Sequence, residues 1–297
     1  MPNTYQSLGD GFDTQHDGTE HLAVNNTLYR RLSTLLSLKL NRWLRIYKPF
    51  CYCHPISKNV IVKWGPFVHL TEAATMTFVA KNTSIPVPRV HCSFIHRNMA
   101  YIVMERIEGD NLCTIWKTLS IEDLEIIRSQ LQRMLQELRA VKPPSGTGVE
   151  SLVGGSLHDP RMSRSSPRFG PFKTIQDFHC WLRGGLEVED FPNGFPNPQT
   201  DHDWDDFQEL VMKQKRPWPA PVLTHGDLNA SNIIVRGNQV VGIIDWETAG
   251  WYPPYWEYTS ACYLPMQDWR DFVPTFLEPY PEEFRMETLR QRWWGEI

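Results

Sequence analysis

The chain has 297 residues, 41% hydrophobic and 22% charged, with a formal net charge of −4 and a pI near 6.2. That length accommodates one large domain or two lobes sharing a cleft. The ordinary composition and slight acidity speak against nucleic acid as a partner, and no run is apolar and long enough to be an integral membrane segment.

Residues 1–26 open polar and rich in Gly and Asp, with no basic stretch leading into an apolar core; they read as a disordered tail without an export signal. In a chain so read, expected to be cytoplasmic, Cys51, Cys53, Cys92, Cys113, Cys180 and Cys262 are taken as free thiols. The cluster Cys51-Tyr-Cys53-His54 resembles half a zinc site, but no second ligand pair follows, and alternation along a strand is the preferred reading.

Residues 27–48 carry Leu28, Leu32, Leu35, Leu36, Leu40, Trp43 and Leu44 at helical spacing, with Arg30, Arg31, Lys39, Arg42 and Arg45 between them. Such a helix either packs on a neighbouring sheet, the preferred reading, or lies on a membrane. Strands are expected over residues 59–64, 90–95 and 100–105, the last two forming a hairpin around His96-Arg97-Asn98. A helix is expected over 70–81, with Thr71 as its cap and Glu72 in its first turn. This order describes a small α+β lobe over 27–107. From Glu108-Gly109-Asp110 the pattern turns helical and defines a larger lobe, 108–297, with capping boxes at Ser120 and Thr174. Residues 143–171 read as a long Gly/Ser/Pro loop, and Glu187–Asp206 as an acidic stretch with turns.

Chemistry concentrates in Val222–Glu247, VLTHGDLNASNIIVRGNQVVGIIDWE. Its alternation of strand, polar loop, strand, turn and strand brings Asp227, Asn232 and Asp245 to one end of a sheet. Two carboxylates and an amide oxygen there suit a hard divalent cation. The run H-G-D-L-x-x-x-N followed by I-D-W-E resembles the catalytic and metal-binding segments of the aminoglycoside phosphotransferase and choline kinase family, and is similar to fungal phosphotransferase-family proteins of unassigned substrate. The resemblance implies a protein-kinase-like two-lobed α+β fold. It implies an enzyme that uses ATP and Mg²⁺ to phosphorylate a hydroxyl of a small molecule. It further implies that Asp227 orients or deprotonates that hydroxyl, that His225 braces the loop, and that Asn232 and Asp245 hold magnesium.

In the small lobe, Lys63 stands where that family places its ATP-phosphate lysine, and Glu72 where it places the partner carboxylate. A lysine on a strand edge and a helix-dipole glutamate are the plainer alternative. The backbone of Glu105 and Ile107 is expected to meet the adenine edge. No glycine-rich element precedes Lys63, which keeps open a catalytically weak or inactive kinase-like binding protein. A metal-dependent hydrolase built on Asp227 and Asp245 lacks the further ligands such sites use. Glu257 either braces the catalytic loop or faces solvent. Trp251, Tyr252, Tyr255 and Trp256 either form an aromatic cage for a quaternary ammonium or, as preferred, pack the core. The acidic stretch either attracts a cationic substrate or is simply solvated. Neither the acceptor nor the oligomeric state is legible.

Overall fold

The computed structural model describes residues 14–162, 168–194 and 202–294. Part of the expected tail (1–13), part of the long loop (163–167) and part of the acidic stretch (195–201) lie outside them. Along the N-terminal part run α1 (Leu28–Leu44), β1 (Cys53–Pro55), β2 (Val60–Gly65), α2 (Leu70–Asn82), β3 (Val90–His96) and β4 (Met99–Glu105). The strands form one antiparallel sheet in the order β1-β2-β4-β3. After them come β5 (Asp110–Asn111), α3 (Leu112–Ile115), α4 (Ile121–Ala140), β6 (Glu150–Ser151), α5 (Ile175–Leu182) and α6 (Asp203–Lys215). The chain ends through β7 (Val222–Thr224), β8 (Ile233–Arg236), β9 (Gln239–Ile243), β10 (Gly250–Tyr252), α7 (Trp256–Ala261), α8 (Gln267–Phe276) and α9 (Pro281–Trp294). Strands thus dominate the N-terminal part and helices the rest, as the α+β reading expects.

Alternation along β2 and β4 gives the first sheet two apolar faces. Ile102 and Met104 turn toward α2 and join Leu70, Met76, Leu131, Leu135 and Trp246 in a core that runs through both parts of the molecule. Val62, Phe94, Tyr101 and Val103 point the other way, where Leu35 and Leu38 of α1 cover them. The expectation that α1 packs on a sheet therefore holds for a narrow face only; the remaining apolar residues of that helix are exposed. Both capping boxes form, at Ser120 and Thr174. The cap of α2 differs from expectation: it is His69, whose Nδ1 accepts from the Thr71 N–H at 3.2 Å. An imidazole nitrogen supplies the acceptor that a hydroxyl ordinarily would.

Residues 14–26 also depart from the expected disordered tail. His16 is buried and stacks on His69 at 5.4 Å, and Gln15 O pairs with His69 Nε2 at 3.0 Å. Val24 O accepts from the Ser93 N–H at 2.8 Å, tying this segment to β3. The long loop is likewise built in, since β6 pairs with β10, which pairs with β7. In the acidic stretch, Asp203 and Asp206 are matched by Arg292, and Glu187 by Arg183 and Lys215. All six cysteines are free. No helix among the described residues is long and apolar enough to cross a membrane.

Candidate active site

The β8–β9 hairpin positions the chemistry. Ile233 pairs with Ile243, so Asn232, just before β8, and Asp245, just after β9, meet at one end; the Ile244 N–H donates to Asn232 O at 2.9 Å. Asp245 itself adopts a left-handed backbone (φ 66°, ψ 58°), a conformation non-glycine residues rarely hold and one that clusters at functional sites. It turns the chain into a short 3-10 turn, Trp246–Thr248, which places Glu247 close to Asp245.

Against this turn lies Lys63 from β2. Its Nζ reaches Glu72 Oε1 of α2 at 2.9 Å, Glu247 Oε2 at 2.9 Å, and Asp245. Burial alone would discharge this ammonium, but Glu72, Asp245 and Glu247 together outweigh that and hold its pKa well above the usual lysine value. One ammonium thus joins a strand, a helix and a loop 182 positions away. The second carboxylate oxygen of Glu72 is buried and has no hydrogen-bond partner among the described residues. Ligand oxygens of Glu72, Asp245 and Glu247 fall within 4.8 Å of one another, a hard-oxygen donor set that suits magnesium.

A second group forms around the loop after β7. The Asn232 amide donates to Asp227 Oδ2 and to Asp227 O, each at 2.8 Å, leaving its own carbonyl oxygen as the acceptor end. Asn229 adds a 3.1 Å bond to Asp227 Oδ1. Burial pushes the Asp227 carboxyl up to about 6; Arg161 and Asn232 pull against that, while Asp245 and Asp159 add to it. His225 is fully buried, its Nε2 3.0 Å from Ile244 O and its ring centroid 4.5 Å from that of Trp246. Its Nδ1 accepts from the Asp227 N–H at 3.3 Å. Burial lowers its pKa, which suits a bracing role for a neutral ring.

Glu257 holds the loop from beneath. It is buried, and its carboxylate accepts from the N–H groups of His225 at 2.7 Å and Gly226 at 3.2 Å. The solvent-facing alternative is therefore excluded. Gly226 itself has φ +83°, and a Cβ there would stand 2.9 Å from Thr248 O.

Three residues went unassigned in the sequence. Glu247 lies within the quoted I-D-W-E, and its offset of two from Asp245 was the available signal. Arg161 and Asp159 sit in the long loop and carry no local signal. Arg161 Nε bonds Asp159 Oδ1 at 2.8 Å, and its guanidinium donates to Gly226 O at 2.6 Å, placing a half-buried cation beside the His225–Asn232 loop.

Other expectations fare differently. The Glu105 N–H is spent within the sheet on Arg89 O at 2.9 Å. That removes one of the two backbone groups by which Glu105 was expected to meet adenine. Ile107 packs its side chain over Gly242, where a Cβ would stand 2.4 Å from Ile107 Cδ1. Trp251, Tyr252, Tyr255 and Trp256 are all buried, with the Tyr255 hydroxyl 2.7 Å from His179 Nε2 and the Tyr252 hydroxyl donating to Thr248 O at 3.2 Å. They form core, with no open cage. Before Lys63, the position of a glycine loop is taken by a tight turn in which Phe50 and Cys53 exchange backbone bonds of 2.8 Å around Cys51-Tyr52.

Known proteins resemble this chain at several levels. The aminoglycoside phosphotransferase APH(4)-Ia superimposes with a TM-score of 0.56 at 14% identity, covering 87% of this chain and 88% of that one. The gentamicin complex of APH(2'')-IIa gives 0.51 at 16% identity, covering 91% and 86%. These likenesses establish the protein-kinase-like fold. Subtelomeric hrmA-associated cluster proteins from two strains of Aspergillus fumigatus are 24% identical over 279 aligned residues, covering 67% of this chain and 54% of the relative. The chain thus spans about half the length of those curated relatives. The model of the phosphotransferase enzyme family, APH, matches residues 70–290, from the start of α2 into α9. This chain belongs to that family.

Proposed function

We propose that the protein is an ATP- and magnesium-dependent phosphotransferase that moves the γ-phosphoryl group of ATP to a hydroxyl of a small molecule. The observation that carries this reading is the position of Lys63, bonded at once to Glu72 and to Asp245, with Asp227 and Asn232 on the adjoining loop. A degenerate member of the fold has no need to keep this set together. The solved APH(4)-Ia and APH(2'')-IIa complexes that hold ADP with hygromycin B, or streptomycin with ATP, support a nucleotide in the equivalent cleft.

On this reading residues 27–107 form the nucleotide side and 108–297 the catalytic and substrate side. Lys63, held by Glu72, turns its ammonium to the ATP phosphates, and the backbone around Glu105 and Ile107 meets the adenine. Asn232 and Asp245 hold magnesium, with Glu247 as a further hard oxygen beside them. Bound there, the metal neutralises phosphate charge and orients the γ-phosphoryl group for in-line transfer. Asp227, fixed by Asn232 and Asn229, accepts the proton of the acceptor hydroxyl. That oxygen bonds to the γ-phosphorus as the bond from phosphorus to the bridging oxygen breaks, and ADP departs. His225, Glu257 and Arg161 act through the loop, setting the position of Asp227.

The test is a screen of hydroxyl-bearing metabolites for transfer of labelled phosphate from ATP. Asp227→Asn serves as the control, expected to lose about 10²–10⁴-fold in rate. Mg·ATP at a hundredfold excess over Kd stabilises a binding-competent protein by about 2.7 kcal/mol. Absence of any thermal shift at millimolar Mg·ATP sinks the proposal. A shift without transfer to any acceptor favours the catalytically inactive binding protein.

A further inference from the structure

The apolar arc of α1 faces away from the protein. At about 100° per residue, Leu28, Tyr29, Leu32, Leu36, Leu40 and Trp43 fall within an arc of roughly 120°. Their exposures are 72, 80, 58, 65, 48 and 77%. The opposite face is the one that packs. Thr34 is buried there, Leu38 lies on the sheet, and the Asn41 amide bonds Tyr47 O and Pro55 O at 3.2 and 3.1 Å. Arg30 and Arg31 pin the helix to β3 by donating to His91 O and Ile95 O. An amphipathic helix that owed its place to the core would turn the other way.

Charge on this helix is as one-sided as its apolarity. In a chain whose net charge is −4, no acidic residue stands between Glu20 and Glu72. The same interval holds Arg30, Arg31, Lys39, Arg42, Arg45 and Lys48 within α1 and the few residues after it. Lys39, Arg42, Arg45 and Lys48 are exposed. Lys39 falls just inside one border of the apolar arc and Arg42 just outside it. Beyond the helix the outward apolar character continues in Ile46 and Phe50.

We propose that α1 docks the protein onto an anionic lipid bilayer, its outward Leu/Trp arc entering the headgroup boundary and its cations meeting acidic lipids. Apolar area and basic flanks without acids are what an interfacial helix presents. A tryptophan such as Trp43 favours the membrane–water interface. A second copy of the same face fits poorly, because two such helices would set like charges against each other with no carboxylate to answer them. The docking does not depend on the phosphotransferase reading, since none of these residues lies in the Lys63–Asp227 cleft.

The experiment is flotation of the full chain with phosphatidylcholine vesicles made with and without phosphatidylserine, alongside light scattering without lipid. The protein is expected to float with the phosphatidylserine vesicles, to stay behind with phosphatidylcholine alone, and to be released by salt. Each Lys or Arg near an anionic surface multiplies partitioning by about five, so Lys39→Gln/Arg42→Gln lowers it by about 25-fold. Leu32→Glu/Leu36→Glu abolishes flotation while leaving the melting temperature and the response to Mg·ATP unchanged, because both side chains are more than half exposed. No flotation, or equal flotation with both vesicle types, overturns the proposal. So does a dimer in solution that Leu32→Glu/Leu36→Glu dissociates, which would assign the face to a second copy.

Discussion

Glu257→Gln isolates what holds the His225–Asn232 loop in place. Glu257 is 1% exposed, and its two carboxylate oxygens each answer a backbone N–H, that of His225 at 2.7 Å and that of Gly226 at 3.2 Å. Glutamine fills the same volume but offers one acceptor, and turns an NH₂ donor against the second N–H. Losing one hydrogen bond to a charged group costs about 1.5–3 kcal/mol. Unfolding entropy near 2.1 cal/mol/K per residue, over 297 residues, converts each kcal/mol to about 1.6 °C. The glutamine variant should therefore melt about 2–5 °C lower. Glu257→Ala strands both N–H groups and should melt about 5–10 °C lower, a loss of about 3–6 kcal/mol against a typical total of 5–15. Scanning calorimetry reads both values, and the phosphotransfer rate should fall with them as Asp227 loses its placement. A glutamine variant melting within about 1 °C of the parent would refute the reasoning. The loop would then be held by its other ties, the Thr248 hydroxyl on His225 O at 2.8 Å and Arg161 on Gly226 O.

Burial pushes Asp227 up to about 6, and only its ionised form can take a proton; kcat/KM should rise with pH through about 6 and level above it. A limb that levels below pH 5 would show an ordinary carboxylate at work. Gly226→Ala forces a Cβ into a left-handed position 2.9 Å from Thr248 O; it should cost at least about 1–2 kcal/mol in urea unfolding and depress activity further than stability alone explains. Glu247→Gln should raise several-fold the magnesium concentration that half-saturates the Mg·ATP thermal shift, whereas Asp245→Ala should remove the magnesium dependence. Equal magnesium titrations for Glu247→Gln and the parent would exclude Glu247 from the metal's surroundings.

How much of this was legible in the sequence depended on how local each signal is. His225, Asp227, Asn232 and Asp245 sit within 21 positions on a strand–turn–strand pattern, so alternation alone places them at one end of a hairpin, which the Ile233–Ile243 register reproduces. Lys63 and Glu72 are nine apart, and a strand running into a capped helix brings them together. Arg161 could not be found this way, because its partners are Asp159 and a carbonyl 65 positions on, and loop composition says nothing about such contacts. The cap of α2 escaped notice since a histidine ring is an uncommon acceptor at that place. For α1 periodicity gave the helix but not its rotation. Spacing reports that an apolar arc exists; its exposure, with Thr34, Leu38 and the Arg30 and Arg31 bonds to β3 on the packed side, shows that it points outward.

The cage around Lys63 has a consequence for the order in which ligands can enter. Three carboxylates already share one ammonium, so a lone divalent cation would have to evict a charge that suits the site well. If ATP binds as proposed, its phosphates draw that ammonium away from Asp245 and Glu247 and so free the oxygens a metal needs. On the proposed reading, nucleotide and magnesium therefore bind as a linked pair. Each strengthens the other by the same factor, and the empty enzyme stays closed to stray divalent ions.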